Sequence, residues 1–189
     1  MNETYKARLG LLPVLAEQAP AGHIGRTALM KYLYFLQVLK NVPLEYNFSL
    51  YSYGPFDSDV LADLSTAEAL NIVEVTPVEF SGGYGYQIRA GSRSVSAKER
   101  AGLFLKSYRN EIDWLLATFG KFNSAELELA STIVYVDREL EDHGQTAVEN
   151  EVATRVCNIK PHFTHEQVQR FVQKLMNKCL LTSTTSSRF

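Results

Sequence analysis

The sequence predicts an α+β, predominantly helical protein: a winged-helix-like N-terminal lobe with a β-hairpin, followed by an all-helical C-terminal lobe. Three features carry this expectation. Leu29, Tyr32, Leu33 and Leu36 repeat at i, i+3, i+4 and i+7, giving one apolar face to a helix over about residues 25 to 40. Ile72-Val73-Glu74-Val75 and Tyr84-Gly85-Tyr86-Gln87-Ile88 flank a turn-rich link holding Ser81-Gly82-Gly83, the composition of two antiparallel strands. Beyond residue 95, apolar residues recur at helical spacing almost to the C-terminus.

Taken in order, Leu11, Val14 and Leu15 mark a first helix from Glu3 to about Gln18, with Gly10 and Pro13 as a point of weakness and kinking. Pro20-Ala21-Gly22 turns the chain into the second helix, which Pro43 stops. Phe48 and Leu50 alternate with polar neighbours, which suggests a short strand entering Tyr53-Gly54-Pro55. Asp57 or Ser58 caps a third helix through Val60, Leu61 and Leu64 towards Leu70, with acid in its first turn. Helix, helix, helix, hairpin is the winged-helix order, and an extra strand between the second and third helices is compatible with it.

In the C-terminal half, Ser96 caps a helix from about Ala97 to Phe119, with Leu103, Leu105, Ile112, Leu115 and Leu116 inward and Trp114 as anchor. Ser124 opens another through Leu127, Leu129, Ile133 and Val136. Val148 to Ile159 forms a third, stopped at Lys160-Pro161. Thr164-His165-Glu166-Gln167 opens the last with a capping-box pattern before Val168, Phe171, Val172, Leu175 and Met176. The Ser/Thr-rich stretch from Thr182 is expected to fray. Residues 1–92, 93–181 and 182–189 are therefore the expected lobes and tail, the lobes packed as one unit.

With 189 residues and 46% hydrophobic content the chain can bury a core, which excludes general disorder. No apolar run reaches the length of a bilayer span, and the first residues lack the layout of a signal peptide, so a cytoplasmic protein is expected. Cys157 and Cys179 lie in helical stretches and read as small buried apolar residues, with no disulfide between them. Charge is uneven: residues 1–90 carry six Lys/Arg against nine Asp/Glu, whereas residues 153–189 carry six against Glu166 alone. Contact with phosphate is expected from the basic end.

Gly25-Arg26-Thr27-Ala28-Leu29-Met30-Lys31-Tyr32-Leu33-Tyr34, then Tyr51-Ser52-Tyr53-Gly54-Pro55-Phe56, then a hairpin with Gly82-Gly83-Tyr84, resembles the YwgA-like bacterial proteins. More distantly, the pattern is similar to the SocA-type antitoxin domain, also called Panacea. The likeness spans about residues 22 to 90, with a looser echo at Ser124-Ala125-Glu126-Leu127-Glu128-Leu129. These are mostly packing and turn residues, so they speak to fold more than to function. The resemblance implies a compact, mostly helical domain with no known active site, whose SocA-type members act as antitoxins or as adaptors that engage a toxin.

Catalysis needs a nucleophile, a base and a stabiliser brought together, or a cofactor loop, and none occurs at informative spacing. Gly82-Gly83-Tyr84-Gly85 lies between strands and reads as a hairpin turn, not a phosphate loop. Cys157, His162, His165 and Cys179 have donors suited to tetrahedral zinc, but their spacing fits no common finger. No enzyme activity, cofactor or metal is therefore expected. The aromatics Tyr32, Tyr34, Phe35, Tyr46, Phe48, Tyr51, Tyr53 and Phe56 read first as core, with a base-stacking platform as the alternative.

For duplex binding the third helix fails on charge, since Asp57, Asp59, Asp63 and Glu68 come with no base. The last helix offers Gln167, Gln169, Arg170, Gln173, Lys174 and Lys178, residue types that read base edges and hold phosphates; a second helix-turn-helix is compatible with its spacing. The sequence thus leads to a non-catalytic macromolecule-binding protein. The first expectation is a protein-interaction module, an antitoxin or adaptor engaging a protein such as a toxin through Tyr51, Tyr53, Pro55, Phe56, Asp57 and Asp59. Its alternative is a DNA-binding regulator using Gln167, Arg170, Gln173, Lys174 and Lys178. A homodimer is compatible with both.

Overall fold

The computed structural model describes residues 2–80, 83–145 and 148–182. The chain is α+β and predominantly helical, in the order α1 (Glu3–Gln18), α2 (Arg26–Lys40), β1 (Ser49–Tyr51), β2 (Gly54–Phe56), α3 (Ser58–Ala69), β3 (Val73–Phe80), β4 (Gly83–Ala90), α4 (Ser94–Arg100), α5 (Gly102–Ser107), α6 (Arg109–Phe119), α7 (Ser124–Asp142), α8 (Glu149–Ile159) and α9 (His165–Asn177). The strands make two separate two-stranded ribbons, β1 with β2 and β3 with β4. The chain divides into two compact units, Met1–Ser49 with Phe56–Ser124, and Leu50–Pro55 with Ala125–Phe189. The units do not part after residue 92: α4, α5 and α6 belong to the first, and the second takes in six residues from the β1–β2 turn.

In the first unit, the Asn2 side chain caps α1 by accepting from the Thr4 N–H at 3.2 Å, and the helix continues through Pro13. Gly10 is where α1 meets α4: a Cβ there would stand 2.4 Å from the Ala101 Cβ. Helix α2 buries Leu29 through Leu36 without interruption, so it is enclosed on all sides and not on one face only. Its Phe35 ring stacks on Phe119 of α6, centroids 4.1 Å apart. Asn41, at φ 53°, ends the helix before Pro43 is reached.

The β3–β4 ribbon is longer than the sequence pattern suggests because Pro77 lies inside it, opposite Tyr86. Ile88 exchanges both backbone bonds with Ile24, so its pairing with Val75 is of the non-hydrogen-bonded kind, and Pro77–Tyr86, two residues along, is of the same kind. Pro77 thereby removes no rung of the ladder. Ser81 and Gly82 of the expected turn lie outside the described residues, as does the expected frayed tail beyond Thr182.

The single helix expected over 97–119 is instead three, broken at Ala101 (φ −93°, ψ 8°) and Tyr108 (φ −110°, ψ 21°). Turning at Ala101 keeps Ala97 and Ala101 buried beside α1, and it sends Leu103 outward, 87% exposed. The expected inward Leu103 is thus corrected, and the helix begins at Ser94, two residues before its expected cap Ser96.

In the second unit, α7 is nearly surrounded, burying Leu127 through Val134, then Val136, Asp137 and Leu140. Helix α9 opens with the expected capping box: Thr164 Oγ1 accepts from the Gln167 N–H at 3.2 Å, and the Thr164 N–H donates to Gln167 Oε1 at 2.8 Å. It ends on a Schellman turn in which Leu180 N–H donates to Leu175 O and Cys179 N–H to Met176 O. Cys179 occupies the left-handed position of that turn, φ 55°, and is exposed, while Cys157 is half-buried. Neither is the core residue expected, because the helical repeat stops at Asn177, before Cys179, and Cys157 falls at the margin of the buried face of α8.

Candidate functional site

The segment from Tyr51 to Asp59 folds as strand, two-residue tip, strand and helix cap. Gly54 takes φ 87°, a left-handed conformation open to glycine at little cost, and so brings the chain back after Ser52 and Tyr53. A Cβ on Gly54 would lie 3.0 Å from Ser131 Oγ and 3.1 Å from Thr132 Oγ1, so its backbone rests directly on α7. Those hydroxyls are turned inward, both donating to Glu128 O at 3.0 and 2.8 Å. Gly54 and Pro55 are buried, whereas Tyr51 and Tyr53 are 66% and 72% exposed.

A buried ion pair also holds the tip. Lys160, 2% exposed, places its ammonium 2.8 Å from Glu128 Oε1 and donates to the Ser52 carbonyl. Glu128 is itself buried, and the half-exposed His162 brings Nε2 to 3.5 Å from the same oxygen. The Lys160 charge is thus taken up by one carboxylate and one backbone carbonyl, as an ammonium out of water requires. Sequence reasoning counted Lys160 only among the basic residues of the C-terminal end and gave Glu128 no role beyond the resemblance. The available signal was Glu128, Ser131, Thr132 and Tyr135 at i, i+3, i+4 and i+7, a polar stripe interleaved with the apolar Leu127, Leu129, Ile133, Val134 and Val136.

The remaining residues expected to meet a partner divide by burial. Asp59 is exposed and Phe56 half-buried. Asp57 is buried and structural: Oδ1 accepts from the Asp59 N–H at 2.8 Å, capping α3, and Oδ2 accepts from the Asn47 N–H at 2.5 Å. Asp63 is likewise internal, accepting from the Tyr46 hydroxyl at 2.8 Å with Arg8 3.7 Å away. Burial pushes its carboxyl above the usual range, against the pull of Tyr46 and Arg8. The acidity read along α3 therefore reaches the surface only at Asp59 and Glu68. Among the other aromatics, Tyr32, Tyr34, Phe35 and Tyr46 are buried and Phe48 half-buried.

On α9, Gln167, Arg170, Gln173, Lys174 and Lys178 are all exposed. At least four of them have intramolecular partners. Gln167 completes the capping box, Arg170 pairs with Glu166 one turn back, and Gln173 donates to Glu149 Oε1 at 3.1 Å. Lys174 lies over the Phe171 ring, 5.0 Å from its centroid. Among the described residues there is no group of three or more His, Cys, Asp or Glu side chains placed to hold a metal, and no helix is long and apolar enough to cross a membrane.

Against known proteins, no family model matches this chain and no curated protein matches it.

Proposed function

We propose that this protein is a non-catalytic, cytoplasmic protein-interaction module, an antitoxin or adaptor component, that engages its partner through Tyr51 and Tyr53. One observation carries the reading: two exposed tyrosines, Tyr51 at the end of β1 and Tyr53 on the tip, which is braced by Gly54 on α7 and by the buried Lys160–Glu128 pair. Exposed aromatics on a preorganised loop are the common anchors of protein interfaces, because large apolar area is buried at small entropic cost. Of the residues that follow, Pro55 is buried, Phe56 half-buried and Asp57 buried as the cap of α3, while Asp59 is exposed on that helix. The order α1, α2, ribbon, α3, β3–β4 supports a winged-helix-like description of the N-terminal part, in line with the resemblance to YwgA-like and SocA-type domains.

Affinity purification from the native host tests the proposal. The expected result is a specific protein partner, a toxin in the favoured case, that a Tyr51→Ala/Tyr53→Ala variant loses while its thermal unfolding is unchanged. If both forms purify alone, or with the same companions, the proposal fails. A DNA-binding regulator is the second reading, favoured by the exposure of Gln167, Arg170, Gln173, Lys174 and Lys178. Arg170→Ala with Lys174→Ala should then weaken binding and flatten its salt dependence in a mobility-shift titration. Arg170 must first leave Glu166 to reach a phosphate, and absence of any shift at low salt rejects this reading.

A further inference from the structure

Within the first unit, Arg93 and Arg100 stand at the two ends of α4 with Ser96 and Ala97 between them. They are a heptad apart, about 10 Å along a helix. Their neighbours Lys6 and Lys98 are neutralised, by Glu3 at 2.5 Å and by Glu17 at 2.7 Å. Arg93 and Arg100 are exposed, and neither side chain has an ion-pair or hydrogen-bond partner among the described residues. Between them the surface dips over Leu70, Ile72 and Ala97 in two shallow depressions that both include Arg100. Leu70 is 39% exposed there.

Arg100 also borders a cavity of about 370 Å³ where α4 gives way to α5. Ala7, Pro43, Ala101, Leu103 and Phe104 supply its apolar wall. Its carboxylates are Glu3, already held by Lys6, and Glu99. The strip therefore reads, from Arg93 onward, as cation, apolar floor, cation, apolar hollow.

We infer that this strip docks an acidic amphipathic helix of a partner protein. Carboxylates one heptad apart on that helix meet Arg93 and Arg100, apolar residues three and four positions after the first cover Leu70 and Ile72, and an apolar side chain of the next turn enters the hollow. Charge complementarity selects the acidic partner: these are the unpaired cations of α4, with a greasy floor between them. A nucleic-acid backbone suits the strip less well, because it would lay phosphates over that floor and against Glu99. This surface is separate from the tyrosine tip and stands or falls without it.

Fluorescence anisotropy on the full chain provides the test. The probes are a labelled peptide of about four helical turns carrying Glu one heptad apart with Leu between, the same peptide with Lys for Glu, and a labelled single-stranded oligonucleotide. The Glu peptide should bind with salt-sensitive affinity, and Arg93→Ala/Arg100→Ala should weaken it about tenfold. Leu70→Ser should also weaken it; circular dichroism should stay unchanged for both variants, since all three side chains are exposed. No binding of the Glu peptide, equal binding by the double variant, equal binding of the Lys peptide, or preference for the oligonucleotide would each overturn the inference.

Discussion

Lys160 shows how little a single residue's type says about its work. An ammonium that is 2% exposed cannot be a solvated charge, and its partners Glu128 and Ser52 O fix the side chain where the chain turns at the tip. Lys160→Met should cost about 3–5 kcal/mol by leaving Glu128 buried with only the half-exposed His162 beside it. Adding Glu128→Leu should recover most of that loss in urea denaturation; if it does not, the pair contributes more than mutual compensation. Asp137 offers a titration. Its side chain is wholly buried, 2.5 Å from Arg138, with the Thr182 N–H donating to it at 3.0 Å. Burial nevertheless prevails and raises its carboxyl above the ordinary 3.8. The folded state then keeps a proton that the unfolded chain has lost, so this contribution is complete below the ordinary value and lost as pH rises through the raised one. Asp137→Asn should flatten the fall in unfolding midpoint over that acid window. An unchanged slope would mean that Asp137 titrates alike in the folded and the unfolded chain.

At the scale of the element, caps and periodicity were legible where the cause is local. Thr164-x-x-Gln167 specifies its capping box within four residues, and Asp57 caps α3 through its own side chain. What the sequence did not disclose depends on distant partners. The break at Ala101 follows from the approach of α4 to Gly10, ninety residues earlier in the chain, and the length of β3 depends on where Pro77 falls in a register set by Ile24. Gly10→Val tests the first of these. Its Cβ would overlap Ala101 at 2.4 Å, and the substitution should cost about 1–3 kcal/mol or more by forcing α1 from α4, seen as a lowered Tm. A neutral outcome would show that the two helices separate without penalty.

For the molecule as a whole, helical character and the β3–β4 hairpin were legible, while the division into units was not. Gly91-Ser92-Arg93-Ser94 reads as a boundary near residue 92, and nothing local reports that Phe119 of α6 stacks on Phe35 of α2, or that residues 50–55 belong with α7. A fragment ending at residue 92 would lack Ile112, Leu115 and Phe119 from its core. It should melt without a cooperative transition in circular dichroism; a sharp transition would place those residues outside the folding unit. The Tyr-Gly-Pro tip adds a consequence for inheritance. Because its six residues are lent by one unit to the other, the chain passes between the units three times, after residues 49, 55 and 124. A single crossover anywhere from residue 56 to 124 would pair one parent's tip with the other parent's Glu128 and Lys160, so these positions should descend together.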